Sequence, residues 1–313
     1  MTTLFITHPV CIEHLPNPGH PECPERLEAI EAALAADKEF SKLKRKTARR
    51  ATLDDLKLAH GEKHIRETLA LVPEIGLNFL DGDTPLSPQS GEAALHAAGA
   101  VLDAVDALLS GEASSAFCAV RPPGHHAHRD NGGGFCLFNN VAVGALAALK
   151  RHDLSRVAVV DFDVHHGNGT QDIARDEPGI FYASTHQSPF YPFTGKASET
   201  GRFNNILNIP LPAHSGGGAV RKAMLEKIIP RLDAFAPEII FVSAGFDAHR
   251  DDPLGGLGWT EEDYAALMTM LLDATERHCN GRLVAVLEGG YNLAALGRSV
   301  AACLRVMMQR KSK

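Results

Sequence analysis

Asp161, Asp163 and His165 follow the apolar run Val157-Ala-Val-Val and are separated from one another by single residues. Side chains of an extended chain alternate between two faces. Continued extension past Val160 therefore puts these three groups on one side and Phe162 and Val164 on the other. Two carboxylates and an imidazole form a hard-to-borderline donor set suited to zinc or iron. Taken alone, the stretch is equally compatible with a strand end followed by a polar turn broken at Gly167 and Gly169.

Other groups with chemical potential follow other apolar runs. Asp247, in Ser243-Ala-Gly-Phe-Asp, can supply a third ligand, and three protein ligands leave a metal position open for water and substrate. His125 and His126 follow Arg121-Pro-Pro-Gly and are not spaced like a second ligand pair, but adjacent imidazoles suit proton transfer near neutral pH. Tyr291 follows two glycines that permit close backbone approach, and its hydroxyl can polarise a carbonyl. Singly, each has a plainer alternative: a helix cap for Asp247, a hydrogen-bonded loop for the histidines, an amphipathic wall for Tyr291. What joins them is position. Each follows a strand, and parallel strands share one carboxyl edge, where open α/β sheets place their sites.

The elements that must do this positioning are legible as alternating strands and helices. Leu4 to Thr7 reads as a first strand, then a proline-punctuated loop leads to a helix with Pro24 near its first turn and Leu27, Ile30, Ala33 and Leu34 on one face. Arg26 sits at that helix start, where the dipole disfavours a cation, which points either to a purpose or to an ordinary surface arginine. Residues 41–50 are basic and read as a solvated edge strand. Asp81 to Pro88 is a loop, and Ser90 to Leu109 is a long packed helix. Strands follow at Ala116–Val120, Val157–Val160, Ile180–Ser184, Ile206–Ile209, Ile239–Val242 and Leu283–Leu287. Helices are expected at Asn139–Lys150, near Thr170, at Ala219–Leu232 and after Tyr291. The alternation implies an α/β fold: a mainly parallel sheet of about eight strands, covered by helices on both faces with right-handed crossovers.

The 313 residues, 44% of them hydrophobic, suffice for one large core, so residues 1–313 are expected to form a single domain. A net charge of −7 argues against nucleic acid as a partner, which needs a basic patch, and serves equally as a solubility device. No apolar run reaches the roughly 18 residues of a membrane span, and the first ten residues lack a secretory pattern, so a cytoplasmic location is expected. The six cysteines are scattered and contain no Cys-x-x-Cys pair, the pattern of reduced, structural thiols. Oligomeric state is not encoded in any of these features, and a homo-oligomer is compatible with all of them.

Five motifs in order resemble the zinc-dependent histone deacetylase and acetylpolyamine amidohydrolase family: Arg121-Pro-Pro-Gly-His-His, Gly134-Phe-Cys-Leu-Phe-Asn-Asn, Asp161-Phe-Asp-Val-His-His-Gly-Asn-Gly-Thr, Ser243-Ala-Gly-Phe-Asp and Glu288-Gly-Gly-Tyr. The resemblance extends from Thr7 to Leu304 and implies the arginase/deacetylase fold with hydrolysis of an acylated amine. It implies Asp163, His165 and Asp247 as zinc ligands, His126 as general base and acid, and His125 as an electrostatic partner oriented by Asp161. Tyr291 matches the donor to the substrate carbonyl. Phe135 and Tyr191 match the walls of the acyl channel, with Gly134 beside them. Asp83 resembles the rim residue that holds the substrate backbone, and Arg26 the arginine near the acetate exit. A structural potassium ion at Asp161, Asp163, His165 and Ser184 is implied as well. Asn168 stands where class I members carry an aspartate, resembling class II, and a neutral partner stabilises imidazolium less than a carboxylate does. Tyr291 is retained where a weakly active vertebrate subgroup has histidine.

The substrates so implied are an acylated lysine of a protein or peptide, or a small acylated amine. Leu254 overlooks the implied channel mouth, where a polyamine-selective branch carries glutamate. An acetylpolyamine amidohydrolase is therefore the alternative, and a catalytically weak acyl-lysine binding module a further one. An arginase-like two-metal centre needs additional carboxylates, but Gly167 and His249 stand where they would be required.

Overall fold

Val157–Asp161 is buried at every position, and a strand buried on both faces has to lie inside a covered sheet. The protein, a computed structural model describing residues 2–310, forms that sheet from eight strands. In chain order the strands are β1 (Thr3–Thr7), β2 (Lys44–Thr47), a short separate pair β3 (Asn78–Phe79) and β4 (Pro85–Leu86), then β5 (Ser115–Cys118), β6 (Val157–Asp161), β7 (Ile180–Gln187), β8 (Ile206–Leu211), β9 (Ile239–Ala244) and β10 (Leu283–Leu287). The sheet order is β2-β1-β5-β10-β9-β6-β7-β8, and every neighbouring pair in it is parallel. The basic strand β2 lies at one edge, as its charge requires.

Register aligns the strand ends. One cross-strand row runs through Ile6, Cys118, Val286, Ser243, Asp161, Ser184 and Asn208, and β1, β5, β10, β9 and β6 each end within one residue of it, so the loops after them leave the sheet at one level. Ser90–Leu109 and Asn140–Arg151 pack together against the sheet, while Glu25–Ala35, Glu261–His278 and Leu293–Gln309 form a second packed group. Two expectations shift locally. The helix expected over Ala219–Leu232 is interrupted by a π turn at Met224–Ile228, just before Pro230, which has no N–H to continue the ladder. The loop at 81–88 contains part of the β3–β4 pair.

A buried charge cluster ties the amino-terminal loop to this edge. Arg121, fully buried after β5, donates to both oxygens of Glu22 and to the carbonyls of Cys11 at 2.8 Å and His14 at 3.0 Å. Arg26 is no surface residue: it is 0% exposed and donates to Glu22 at 3.1 Å and to the carbonyls of Gly290 at 2.7 Å and Glu288. Burial opposes the Glu22 charge, but Arg121 and His14 outweigh it and hold the carboxyl well below its ordinary range. Glu22→Ala would strand two buried guanidiniums and should cost about 3–5 kcal/mol of stability in urea unfolding.

Candidate metal and catalytic site

Strand β6 ends at Asp161, and the chain bends beyond it, yet Asp163 and His165 still meet Asp247 from the loop after β9. One ligand atom from each of these three lies within 4.8 Å of the others. His165 Nδ1 is 3.0 Å from Asp163 Oδ1 and 3.2 Å from Asp247 Oδ2. Backbone N–H groups hold the carboxylates in place: Gly289 donates to Asp163 Oδ2 at 2.8 Å, and Val164 to Asp247 Oδ1 at 2.9 Å. Glycine is required beside them, since a Cβ at 289 would stand 2.0 Å from Asp247 Oδ2 and one at 245 would stand 2.0 Å from Asp163 Oδ2. Asp247 Oδ2 is buried and, beyond the close approach of His165 Nδ1, makes no hydrogen bond, an arrangement that suits a bound cation. The donor set of one imidazole and two carboxylates fits zinc and leaves room for water and substrate.

The electrostatics also call for a cation. Burial and the Asp163 charge push Asp247 up to about 7. Burial opposes protonation of His165, but the two carboxylates it faces outweigh that and raise it to about 10.

His125 and His126 occupy different environments although they are adjacent. Gly124 and His125 donate their N–H groups to Glu288 Oε2 at 2.7 and 3.1 Å, which clamps their turn to the end of β10. His125 Nδ1 lies 3.1 Å from Asp161 Oδ2. Burial disfavours its charge, but Asp163 and Asp161 raise it to about 10. For His126, burial and then the charges of His125 and His165 hold the ring well below 6.5. Its Nδ1 meets Asn168 Oδ1 at 2.7 Å, so the hydrogen sits on Nδ1 and Nε2 keeps its lone pair. The pair thus divides into one imidazolium and one neutral proton acceptor.

A cavity of about 400 Å³ opens onto these groups, lined by His126, His165, Gly134, Phe135, Tyr191, Leu254, Asp83 and Tyr291 among others. Gly134 (φ +56°) needs its missing side chain, since a Cβ would stand 2.8 Å from His126 and from the Tyr191 hydroxyl. Tyr191 sets its ring edge-on to His126 at 5.3 Å. Burial and Asp247 push the Tyr291 hydroxyl above its ordinary range, keeping it a donor at neutral pH. Arg26 does not reach the cavity; it lies 5.0 Å from the centroid of the Tyr291 ring and holds the preceding carbonyl. Asp83 lies at the mouth, its carboxyl raised by burial and by Asp81. Asp161 and Ser184 are cross-strand neighbours, but Ser184 Oγ is engaged with His186 at 2.9 Å.

Sequence reasoning missed two contributors. Phe190 stacks on His165 at 5.3 Å, so two consecutive aromatics of one loop reach the channel. Asp252 accepts from the N–H groups of Tyr291 at 2.6 Å and Asn292 at 3.0 Å, and also from Leu254 at 2.9 Å, joining the two loops. Only the proximity of Phe190 to Tyr191 gave a signal. Nothing in the spacing of Asp252 marked it.

Metal binding must displace protons from this site. With His165 at about 10 and Asp247 at about 7, affinity should rise with pH, releasing about two protons per ion below pH 7 and about one between 7 and 10. Calorimetric titration of metal-free protein with Zn²⁺ in buffers of different ionisation enthalpy reads this directly.

The sequence profile of the histone deacetylase domain matches residues 20–307. Histone deacetylase 14, chloroplastic, of Arabidopsis thaliana is 39% identical over 94% of this chain and 74% of its own length. The histone deacetylase-like amidohydrolase of Pseudomonas aeruginosa is 40% identical over 88% of this chain and 73% of its own. The crystal structure of the HDA15 HD domain superposes with a TM-score of 0.93 at 34% identity, covering 100% of this chain and 89% of that one. A matched profile over most of the length, together with this fold and these relatives, places the chain in the histone deacetylase family.

Proposed function

We propose that this protein is a zinc-dependent amidohydrolase that removes acetyl or other acyl groups from lysine side chains of a protein or peptide. The observation that carries the reading is the convergence of an open three-ligand set, a neutral His126 and a donating Tyr291 on one aromatic-walled channel. Zinc, when bound, lowers the pKa of water to about 7 and polarises an acyl carbonyl.

The chain's own residues supply the rest. His126 Nε2 takes the proton of the attacking water and returns it to the departing amine, which balances the reaction as amide plus water giving acid plus amine. His125, held cationic against Asp161, stabilises negative charge developing nearby. The Tyr291 hydroxyl donates to the carbonyl oxygen as it gains charge. Phe135, Phe190 and Tyr191 enclose the aliphatic stem of the acylated side chain and exclude water. A potassium ion beside Asp161 and Ser184, with Asp163 and His165, belongs to the same proposal, as does a cytoplasmic location.

Leu254 favours lysine over polyamine. An acetylpolyamine carries a second ammonium that a rim carboxylate would pair with, and leucine offers none, although Asp83 stands across the same mouth. A binding module without turnover would have no use for the segregated charge states of His125 and His126.

A panel of acetyl-lysine peptides, longer acyl-lysines and acetylspermidine, with metal content measured on the same sample, tests the reading. Asp163→Ala, His165→Ala or Asp247→Ala should abolish turnover, and near-native activity with metal retained in any of them removes the ligand assignment. Tyr291→Phe should lower kcat by about 10²-fold or more with zinc still bound. Leu254→Glu should shift the ratio of specificity constants toward acetylpolyamines by about 1–3 kcal/mol. A wild type that prefers acetylspermidine to every peptide selects the polyamine reading instead.

A further inference from the structure

His128 and Asp172 lie outside the channel and take no part in the reaction as proposed, yet they end a hydrogen-bonded line that begins at His126. His126 Nδ1 meets Asn168 Oδ1 at 2.7 Å, Asn168 Nδ2 meets His128 Nε2 at 3.0 Å, and His128 Nδ1 meets Asp172 Oδ2 at 3.2 Å. A carboxylate only accepts, so Asp172 fixes a hydrogen on His128 Nδ1, and in the neutral ring Nε2 is then an acceptor. That acceptor takes the Asn168 amide N–H and turns the amide oxygen to His126. An amide oxygen also only accepts, so the His126 hydrogen stays on Nδ1 and the Nε2 lone pair faces the channel. A reversed amide would present N–H to His126, move the ring hydrogen to Nε2 and remove the base.

We propose that His128 and Asp172 are positioning residues that set the orientation of the Asn168 amide and, through it, the tautomer of His126. The proposal rests on the reading of His126 as the proton acceptor.

Hydrogen bonds to the backbone hold both ends of the line independently of it. Thr170 N donates to His125 O at 3.1 Å and Asn139 Nδ2 to Ala127 O at 3.0 Å. A Cβ at Gly169 would stand 2.3 Å from Ala127 O, so the helix Asn168–Ala174 starts in contact with the histidine turn. His128 is fixed by its own N–H to Asn131 O at 2.8 Å, and its carbonyl meets His60 Nδ1 at 2.9 Å. Arg175 Nη1 lies 3.5 Å from the other oxygen of Asp172. The outer pair is partly exposed, at 29% for His128 and 33% for Asp172, so replacements there open no core cavity. Asparagine makes the pair necessary: an aspartate at 168 would accept on both oxygens and need no orienting partner, whereas an amide has two inequivalent ends.

The test compares two long polar replacements on the zinc-loaded protein. Gln at 128 can accept from the amide, and Lys can only donate. His128→Lys should lower kcat by about 10-fold or more with KM and metal content within about twofold, the pattern of a lost transition-state function. His128→Gln should hold kcat within about threefold of wild type. Asp172→Asn, which keeps an accepting oxygen, should likewise be milder than Asp172→Leu. Imidazole ¹⁵N–¹H spectra should show His126 as the Nδ1–H tautomer in the wild type and His128→Gln, and as Nε2–H in His128→Lys. Equal losses for Lys and Gln, or an unchanged His126 tautomer in His128→Lys, overturn the proposal. The spectra require no turnover: a wild type inactive on every acylated amine defeats the proposed function, while the tautomer comparison still decides this one.

Discussion

Burial of negative charge is the constraint on which this site depends. Glu22, Asp161, Asp163, Asp247 and Glu288 are each at most 1% exposed, and all belong to the loops and strand ends of one sheet edge. Carboxylates removed from water need compensation by cations or several hydrogen bonds, and each receives a different one. Glu22 has two guanidiniums, Asp161 has His125 and the Tyr182 hydroxyl, and Glu288 has two backbone N–H groups. Asp163 and Asp247 share His165 and would share a metal ion, and it is there that a buried carboxylate oxygen without a hydrogen bond remains.

The same compensation separates the functions of neighbouring residues. His125 and His126 are adjacent in the chain with rings 4.0 Å apart, but one faces two carboxylates and the other a neutral amide. Their proton affinities are driven in opposite directions by partners from the end of β6 and the segment that follows it, with no difference in residue type. Arg26 acts in a similar indirect way, because its bonds to the carbonyls of Glu288 and Gly290 fix the backbone that presents Tyr291.

The channel above these groups is apolar along its walls and polar only at its ends. Phe135, Phe190, Tyr191 and Leu254 line the passage, while Asp83 stands at the mouth and His126, His165 and Tyr291 at the floor. Such a shape suits a long aliphatic stem with one reactive amide at its tip. Asp252 couples the Leu254 loop to the Tyr291 loop, so the two sides of the channel are tied together.

Much of this was legible in the chain itself. The apolar runs and their polar ends located the central strands, their alternation with helices gave a parallel sheet, and the types and spacing of Asp161, Asp163, His165, His125, His126, Asp247 and Tyr291 marked candidates for metal binding and proton transfer, to which the resemblance of the five motifs assigned roles. Periodicity and residue type are local properties, and local properties survive in a one-dimensional reading. The tertiary structure decided what depends on long-range pairing. Arg26 is buried because Glu22, Glu288 and Gly290 meet it there, not because of its place at a helix start. Phe190 reaches His165 because the loop after β7 folds back across that ring, and Asp252 matters because two loops 39 residues apart meet at its carboxylate. The protonation of His125 is likewise set by Asp163 and Asp161, tens of residues away, since a pKa responds to distance in space and not to distance along the chain.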